Sequence, residues 1–239
     1  MIGTELLDDP RADPVLVDRE LRDIARLNAL FGGTRAVVRE LEPFLERGNR
    51  ERGNPEGLPD GRGKRDTWTL LDVGTGLGDI PRAAAAAARR HGITLRLVGI
   101  ELNRTAARLA RAAGVPTIVA DGNALPLGPR SVDVVVASQV LHHLPRPIAV
   151  RWIATFDRVA RRAVVLADLR RSRVAMAGVW AASVGLAMSG VTRHDAVVSL
   201  KRGYTKTEFD EMLRQAGVRT VARYRRGARI VAAWSPSTE

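Results

Sequence analysis

The run Leu70-Leu71-Asp72-Val73-Gly74-Thr75-Gly76-Leu77-Gly78-Asp79 constrains the fold more than any other stretch of the chain. Four residues of an apolar strand give way to glycine at every second position. Glycine alone lets the backbone turn so sharply and brings a ligand against bare main chain. An Ala-rich helix follows over Pro81–Arg90. In an open α/β sheet, such a strand end borders the crevice where ligands bind. The spacing is Gly-x-Gly-x-Gly, whereas a dinucleotide fingerprint needs Gly-x-Gly-x-x-Gly. Asp79 is expected to cap the helix, with Pro81 in its first turn. A carboxylate there competes for the amides that a pyrophosphate would use, and repels the phosphate. A cationic ligand without phosphate meets neither obstacle.

The rest of the chain repeats the strand–helix alternation. Strands are expected at Leu95–Ile100, Thr117–Ala120, Val132–Ala137 and Ala163–Ala167, with helices at Arg104–Ala113 and Ile148–Ala160. The fourth strand is continuously apolar, as a strand covered on both faces should be. Thr207–Ala216 reads as a last helix, followed by strands at Val218–Tyr224 and Arg229–Trp234. Repeated β-α units imply a mostly parallel sheet with helices on both faces. Two helices, broken at Gly32-Gly33 with the second over Thr34–Glu46, form an N-terminal cap at residues 1–46. Residues 47–66, rich in Gly, Arg, Pro and Asn, read as a flexible linker that buries too little to offset its ordering entropy. The main domain then spans 67–239.

Acidic residues recur at the strand ends. Glu101 and Leu102 close the second strand, Asp121-Gly122-Asn123 the third, and Ser138-Gln139 precede Val140-Leu141-His142-His143 after the fourth. In this order the chain resembles the class I S-adenosylmethionine-dependent methyltransferases, of the type-11-like branch, over about Trp68 to Ala167. The resemblance implies a Rossmann-like, seven-stranded, mostly parallel sheet and S-adenosyl-L-methionine as cofactor. It implies that Asp72, Gly74, Thr75, Gly76 and Gly78 form the cofactor turn. Glu101 would accept both ribose hydroxyls, Asp121 the adenine amino group, with Gly122 or Asn123 beside the ring. Ser138 and Gln139 would border the cofactor, and Arg35, in the Asn28-x-x-Phe31-Gly32-Gly33-Thr34-Arg35 stretch, would lie near its carboxylate.

For chemistry on the acceptor, histidine is the side chain suited to a base near neutral pH. His142 and His143 point about 100° apart on a helix, which argues against joint metal ligation, and no metal is expected. His143 is the preferred catalytic candidate of the pair; the other reading has both lining the pocket. His194, beside Asp195, is the second candidate. It lies in a helical insertion at about 170–203 that would cover the acceptor as a lid. Val174–Thr192 within it carries no charge, with Arg170, Arg171 and Arg173 before it and Arg193 after. At 19 residues this run is nominally long enough for a bilayer, but Ala, Gly and Ser dominate it and weaken insertion. It reads as a lid helix, with transient membrane-surface contact left open.

The formal charge of +12 raises nucleic acid as a partner. However, all but three of the 38 basic side chains are arginine, Lys64, Lys201 and Lys206 being the exceptions. That bias, with abundant Ala, Val and Gly, also follows from GC-rich coding, and many arginines fall on solvated helix faces. The Asn/Asp-Pro-Pro-aromatic motif of base-flipping amino methyltransferases is missing after strand four. Without cysteine there is no thiolate route and no disulfide framework. A start lacking an apolar signal core suggests a cytoplasmic protein. The expected function is O-methylation of a small, hydrophobic or phenolic acceptor, as in secondary metabolism. A nucleic-acid methyltransferase and a non-catalytic nucleotide-like ligand-binding domain are the alternatives.

Overall fold

The computed structural model describes residues 5–9, 11–51 and 66–237. Helices α1 (Pro14–Phe31) and α2 (Gly33–Glu51) come first, and β1 (Asp66–Val73) opens the sheet. Then follow α3 (Asp79–Arg90), β2 (Ile93–Glu101), α4 (Arg104–Ala112), β3 (Thr117–Val119) and β4 (Val132–Ser138). After α5 (Arg146–Val159) and β5 (Ala160–Leu169) come three helices, α6 (Arg173–Gly185), α7 (Gly190–Arg202) and α8 (Lys206–Gln215). Strands β6 (Arg223–Arg225) and β7 (Arg229–Trp234) close the chain.

The seven strands lie in the order β3-β2-β1-β4-β5-β7-β6. The first five run parallel, and β7 pairs antiparallel with both β5 and β6. The period-2 alternation of a strand decides which core each residue joins. Along β4, Val135 and Ala137 face the core built with α5 and α8, where Phe156, Phe209 and Met212 are fully buried. Val134 and Val136 face the opposite core, with Leu41 and Leu45 of α2 and the alanines of α3. Strand order reverses between β1 and β4, so the crevice opens at their carboxyl ends, as the topology requires.

Several local expectations shift. Helix α2 runs past Glu46 to Glu51, so the first residues of the anticipated linker are helical, while residues 52–65 lie outside the described residues. The apolar run 174–192 is two helices, not one. Ala187 takes a positive φ of 50°, and Ser189 caps α7 by accepting from the Thr192 amide. Among the described residues no helix is long and apolar enough to cross a membrane. Of the strand expected at Val218–Tyr224 only its end pairs, because Asp210 Oδ1 takes the Ala222 amide at 2.6 Å. Gly78, not Asp79, occupies the N-cap of α3, at φ 71°.

Candidate active site

A cavity of about 460 Å³ opens at the carboxyl ends of β1, β2 and β4, and α1, α6, α7 and the Glu5–Asp9 segment roof it. That size is ordinary for a small-molecule site. Its floor is the glycine turn. Gly74, Gly76 and Gly78 all take positive φ, between 54° and 75°. Asp72 is buried beneath, accepting the Thr75 hydroxyl at 2.8 Å. Burial, with the charges of Asp79 and Glu101 nearby, pushes its pKa up to about 7. Asp72 and Gly78 therefore hold the turn in shape from beneath the cavity wall. For Gly78 the reason is packing, since a Cβ there would lie 2.7 Å from Val115.

Gly74, Thr75, Gly76, Glu101, Leu102, Asp121, Gly122, Asn123, Ser138, Gln139 and His143 all reach the cavity wall. Glu101 clamps the turn by accepting from the Gly76 amide at 3.0 Å and the Asn103 amide at 3.1 Å. A carboxylate has about four lone-pair sites, so acceptor capacity remains. Asp121 caps the short turn after β3 through the Asn123 amide, at 2.8 Å. Asn123 in turn accepts from Trp152 Nε1 at 2.8 Å. The Trp152 ring lies so close to Gly122 that a Cβ there would sit 2.3 Å from it. Trp152, in the middle of α5, was not singled out from the sequence.

Two other expected residues are elsewhere. Arg35 is exposed on α2 and does not line the cavity. His194 points to solvent from α7, whose cavity-facing positions are Thr192, Asp195, Ala196, Ser199 and Leu200, one face of the helix. In place of Arg35 stands Arg229 at the start of β7. It is 4% exposed and donates to Asn28 Oδ1 at 2.7 Å and Gln139 Oε1 at 3.1 Å, both neutral oxygens. Its Nε is buried without a partner. Burial pulls its pKa down to about 10, so it still carries its charge at neutral pH. Asp168 acts on this cation through its charge alone, and the hydrogen bonds the guanidinium donates go to amides, a costly burial that an anion would relieve. Gln139 is held at φ 55°, a conformation unusual for a non-glycine residue, and its side chain is pinned by Asn28 and Arg229.

The two histidines are in different surroundings. His142 is buried, and its Nδ1 meets Asp168 Oδ1 at 2.6 Å. A carboxylate only accepts, so Nδ1 carries the proton. Nε2 is left buried without a partner. The turn bearing it is fixed by Asp168, which also accepts the Leu141 and His142 amides, and by Tyr204, which donates to the Leu141 carbonyl at 2.8 Å. His143 instead meets Asp8 Oδ1 at 2.7 Å, with Glu5 Oε2 3.8 Å from its other nitrogen. Burial alone would lower its pKa; the bond to Asp8 and the charges of Glu5, Asp8 and Asp168 outweigh this and raise it. Both nitrogens of His143 thus lie beside carboxylates, whereas His142 keeps an unpartnered Nε2, and this geometry moves the preference from His143 to His142. Glu5, His142 and His143 bring ligand-type atoms within 4.8 Å of one another. Yet Glu5 already accepts Ser199 Oγ at 2.6 Å and Arg202 at 3.2 Å, and that guanidinium would repel a metal ion.

His143 and Arg202 thus clasp the N-terminal segment over the cavity, and the clasp should respond to pH. Burial pushes Asp8 up, but bonds from His143 and Arg202 hold its carboxyl far below the usual range. Its contribution is present above its unfolded value and is lost only in strong acid. The raised pKa of His143 gives a contribution fully present below 6.5 and lost as pH rises through the folded value. The Leu6 amide, which donates to Asp195 at 2.7 Å, is the reporter. Its hydrogen-exchange protection, corrected for intrinsic rate, should be high at pH 6 and fall by pH 9. His143→Gln should remove that pH dependence; equal protection at both pH values in the wild type would show that the clasp does not depend on His143.

A family model described as a methyltransferase domain matches residues 71–167, from β1 to β5. An uncharacterized methyltransferase of Mycobacterium ulcerans is 42% identical over 83 residues, which are 33% of this chain and 30% of that one. The match therefore spans under a third of that relative's length. A solved S-adenosylmethionine-dependent methyltransferase of Aquifex aeolicus superposes with a TM-score of 0.51 at 16% identity, over 79% of this chain and 96% of that one. An O-methyltransferase family 2 protein of Planctomyces limnophilus, solved with apigenin, gives a TM-score of 0.50 at 19% identity, over 79% and 56%. At such identities the likeness is one of fold.

Proposed function

Residues 71–167 of this chain are a methyltransferase domain of the class I, type-11 kind, and from that premise we propose that the protein binds S-adenosylmethionine and methylates a small apolar acceptor, a phenolic hydroxyl being the preferred group. The observation that carries this reading is the pairing of a glycine turn, clamped by Glu101 and with Asp79 on the cavity wall, with His142, whose Nε2 has no partner, in the lining of the same cavity. The residues fit the cofactor. Glu101 would take the ribose hydroxyls, Asp121 and Asn123 the adenine edge, and Arg229 the methionine carboxylate. When bound, S-adenosylmethionine supplies a methyl group already activated on a sulfonium.

The chain's own residues then have three tasks. Leu21, Ile24, Phe31, Val140, Leu144 and Val179 give the cavity apolar walls. They exclude water and orient the acceptor, and orientation can contribute about 7–11 kcal/mol. His142 Nε2 takes the proton that the acceptor hydroxyl gives up, while Asp168 holds Nδ1 and fixes the ring. The apigenin bound by the Planctomyces limnophilus protein is an acceptor-like phenol on the same fold, and it supports the choice of class. Despite the basic chain, Glu5, Asp8, Glu20 and Asp195 line the cavity, which disfavours the phosphates of a nucleic-acid substrate.

Titration calorimetry tests the cofactor: S-adenosylmethionine and S-adenosylhomocysteine should bind one to one, and NADH should not. Binding of NADH with no binding of either sulfur ligand would overturn the proposal. With a panel of apolar phenols, alkyl amines and short RNA, methyl transfer should appear with the phenols; transfer to RNA alone would replace the acceptor class.

A further inference from the structure

A surface helix is expected to turn polar residues outward and apolar ones inward. Helix α6 does not. Between Arg173 and Gly185 it has no charged side chain, and Ser183 is its one buried residue. Its solvent-facing stripe is Val174, Ala177, Trp180, Ala181 and Val184, at helical spacing, with Val174 83% and Trp180 55% exposed. The stripe continues through Leu186 to Val191 at the start of α7, both more than two-fifths exposed. Val179 points the other way and lines the cavity. The element is thus apolar toward the cavity and apolar toward solvent.

Contiguous exposed apolar surface of this kind marks an interaction face. Charge decides what covers it. Arg173 and Arg193 flank the stripe, Arg170 and Arg171 lie just before it, stacked on Tyr224 and paired with Glu208 respectively, and the whole chain carries +12. Two such chains repel one another, whereas a negatively charged bilayer attracts the arginines and accepts the valines and tryptophan between them. The geometry points to α6 as an interfacial helix that seats the lid on an anionic membrane surface, with its axis in the membrane plane. Its inner face would then lie between the cavity and the acyl region, the place from which an apolar acceptor would arrive. The docking needs no cofactor or acceptor, so it stands or falls separately from the reaction proposed above.

The tryptophans supply the test. Trp68, Trp152 and Trp234 are buried and Trp180 is the exposed one, so a change of emission on docking reports on the stripe. The full chain, without other ligands, is mixed with phosphatidylglycerol vesicles and with phosphatidylcholine vesicles. The expected result is a blue shift, with quenching by brominated acyl chains, on phosphatidylglycerol only. Added salt should weaken it, since the arginines contribute through a screened potential. Trp180→Phe should abolish the shift while co-sedimentation with vesicles persists. Val174→Glu with Val184→Glu should lower vesicle binding about tenfold or more, leaving the fold and turnover of a soluble acceptor unchanged. Absence of a shift on phosphatidylglycerol, undiminished binding by the double variant, or a solution dimer that buries Trp180 would each overturn the inference.

Discussion

Replacing Arg229 by glutamine is expected to weaken S-adenosylhomocysteine binding by about thirtyfold or more, the equivalent of about 2–3 kcal/mol for a charge-assisted bond lost in a buried site. The comparison ligand is methylthioadenosine, which keeps the adenosine and sulfur but lacks the amino-acid carboxylate. Its affinity should change less than about twofold, because Glu101 and Asp121 are untouched. Stability separates this role from a structural one. Glutamine can still donate toward Asn28 and removes a buried cation that no carboxylate hydrogen-bonds, Asp168 reaching it through its charge alone. Unfolding of the ligand-free variant should therefore come at the same temperature or higher. A lower melting temperature together with equal loss of both ligands would mean that Arg229 merely ties β7 to α1.

The second large effect is expected at His142. His142→Ala should reduce kcat on a phenolic acceptor by about 10²–10⁴-fold, the usual contribution of a positioned base, with S-adenosylhomocysteine affinity nearly unchanged. Acceptor acidity provides the control: a nitrophenol that is already ionised at the assay pH has no proton to give, so its turnover should fall much less. Asp168→Asn keeps the oxygen that accepts the Leu141 and His142 amides but loses the charge that orients Nδ1. It should lower kcat less than the histidine deletion, and flatten the pH profile. His143→Gln should leave kcat within a few-fold, since its ring is bound to Asp8. Equal losses on ionised and un-ionised phenols would remove His142 from proton transfer and make it a scaffold for the turn after β4.

Local patterns supplied the raw material of the strand order: periods of two and of three to four residues, glycines at a sharp turn, and carboxylates closing β2 and β3. Those features are local, because backbone dihedrals and side-chain direction repeat over a few residues, and so Glu101, Asp121 and the turn at Gly74–Gly78 were legible. The electrostatic partners were not. Arg229 is one arginine among 35 in the sequence, and only folding brings it to Asn28, 201 positions away. Asp168 reads as one more strand residue until β5 sets it beside His142, and Asp8 meets His143 across 135 positions. The exposed stripe of α6 was hidden for a related reason. Its composition announces a buried lid, and burial is a property of what the rest of the chain leaves uncovered. Charge and exposure are decided by long-range packing, which no local pattern encodes, and it is there that the proposed base, anion partner and membrane face arise.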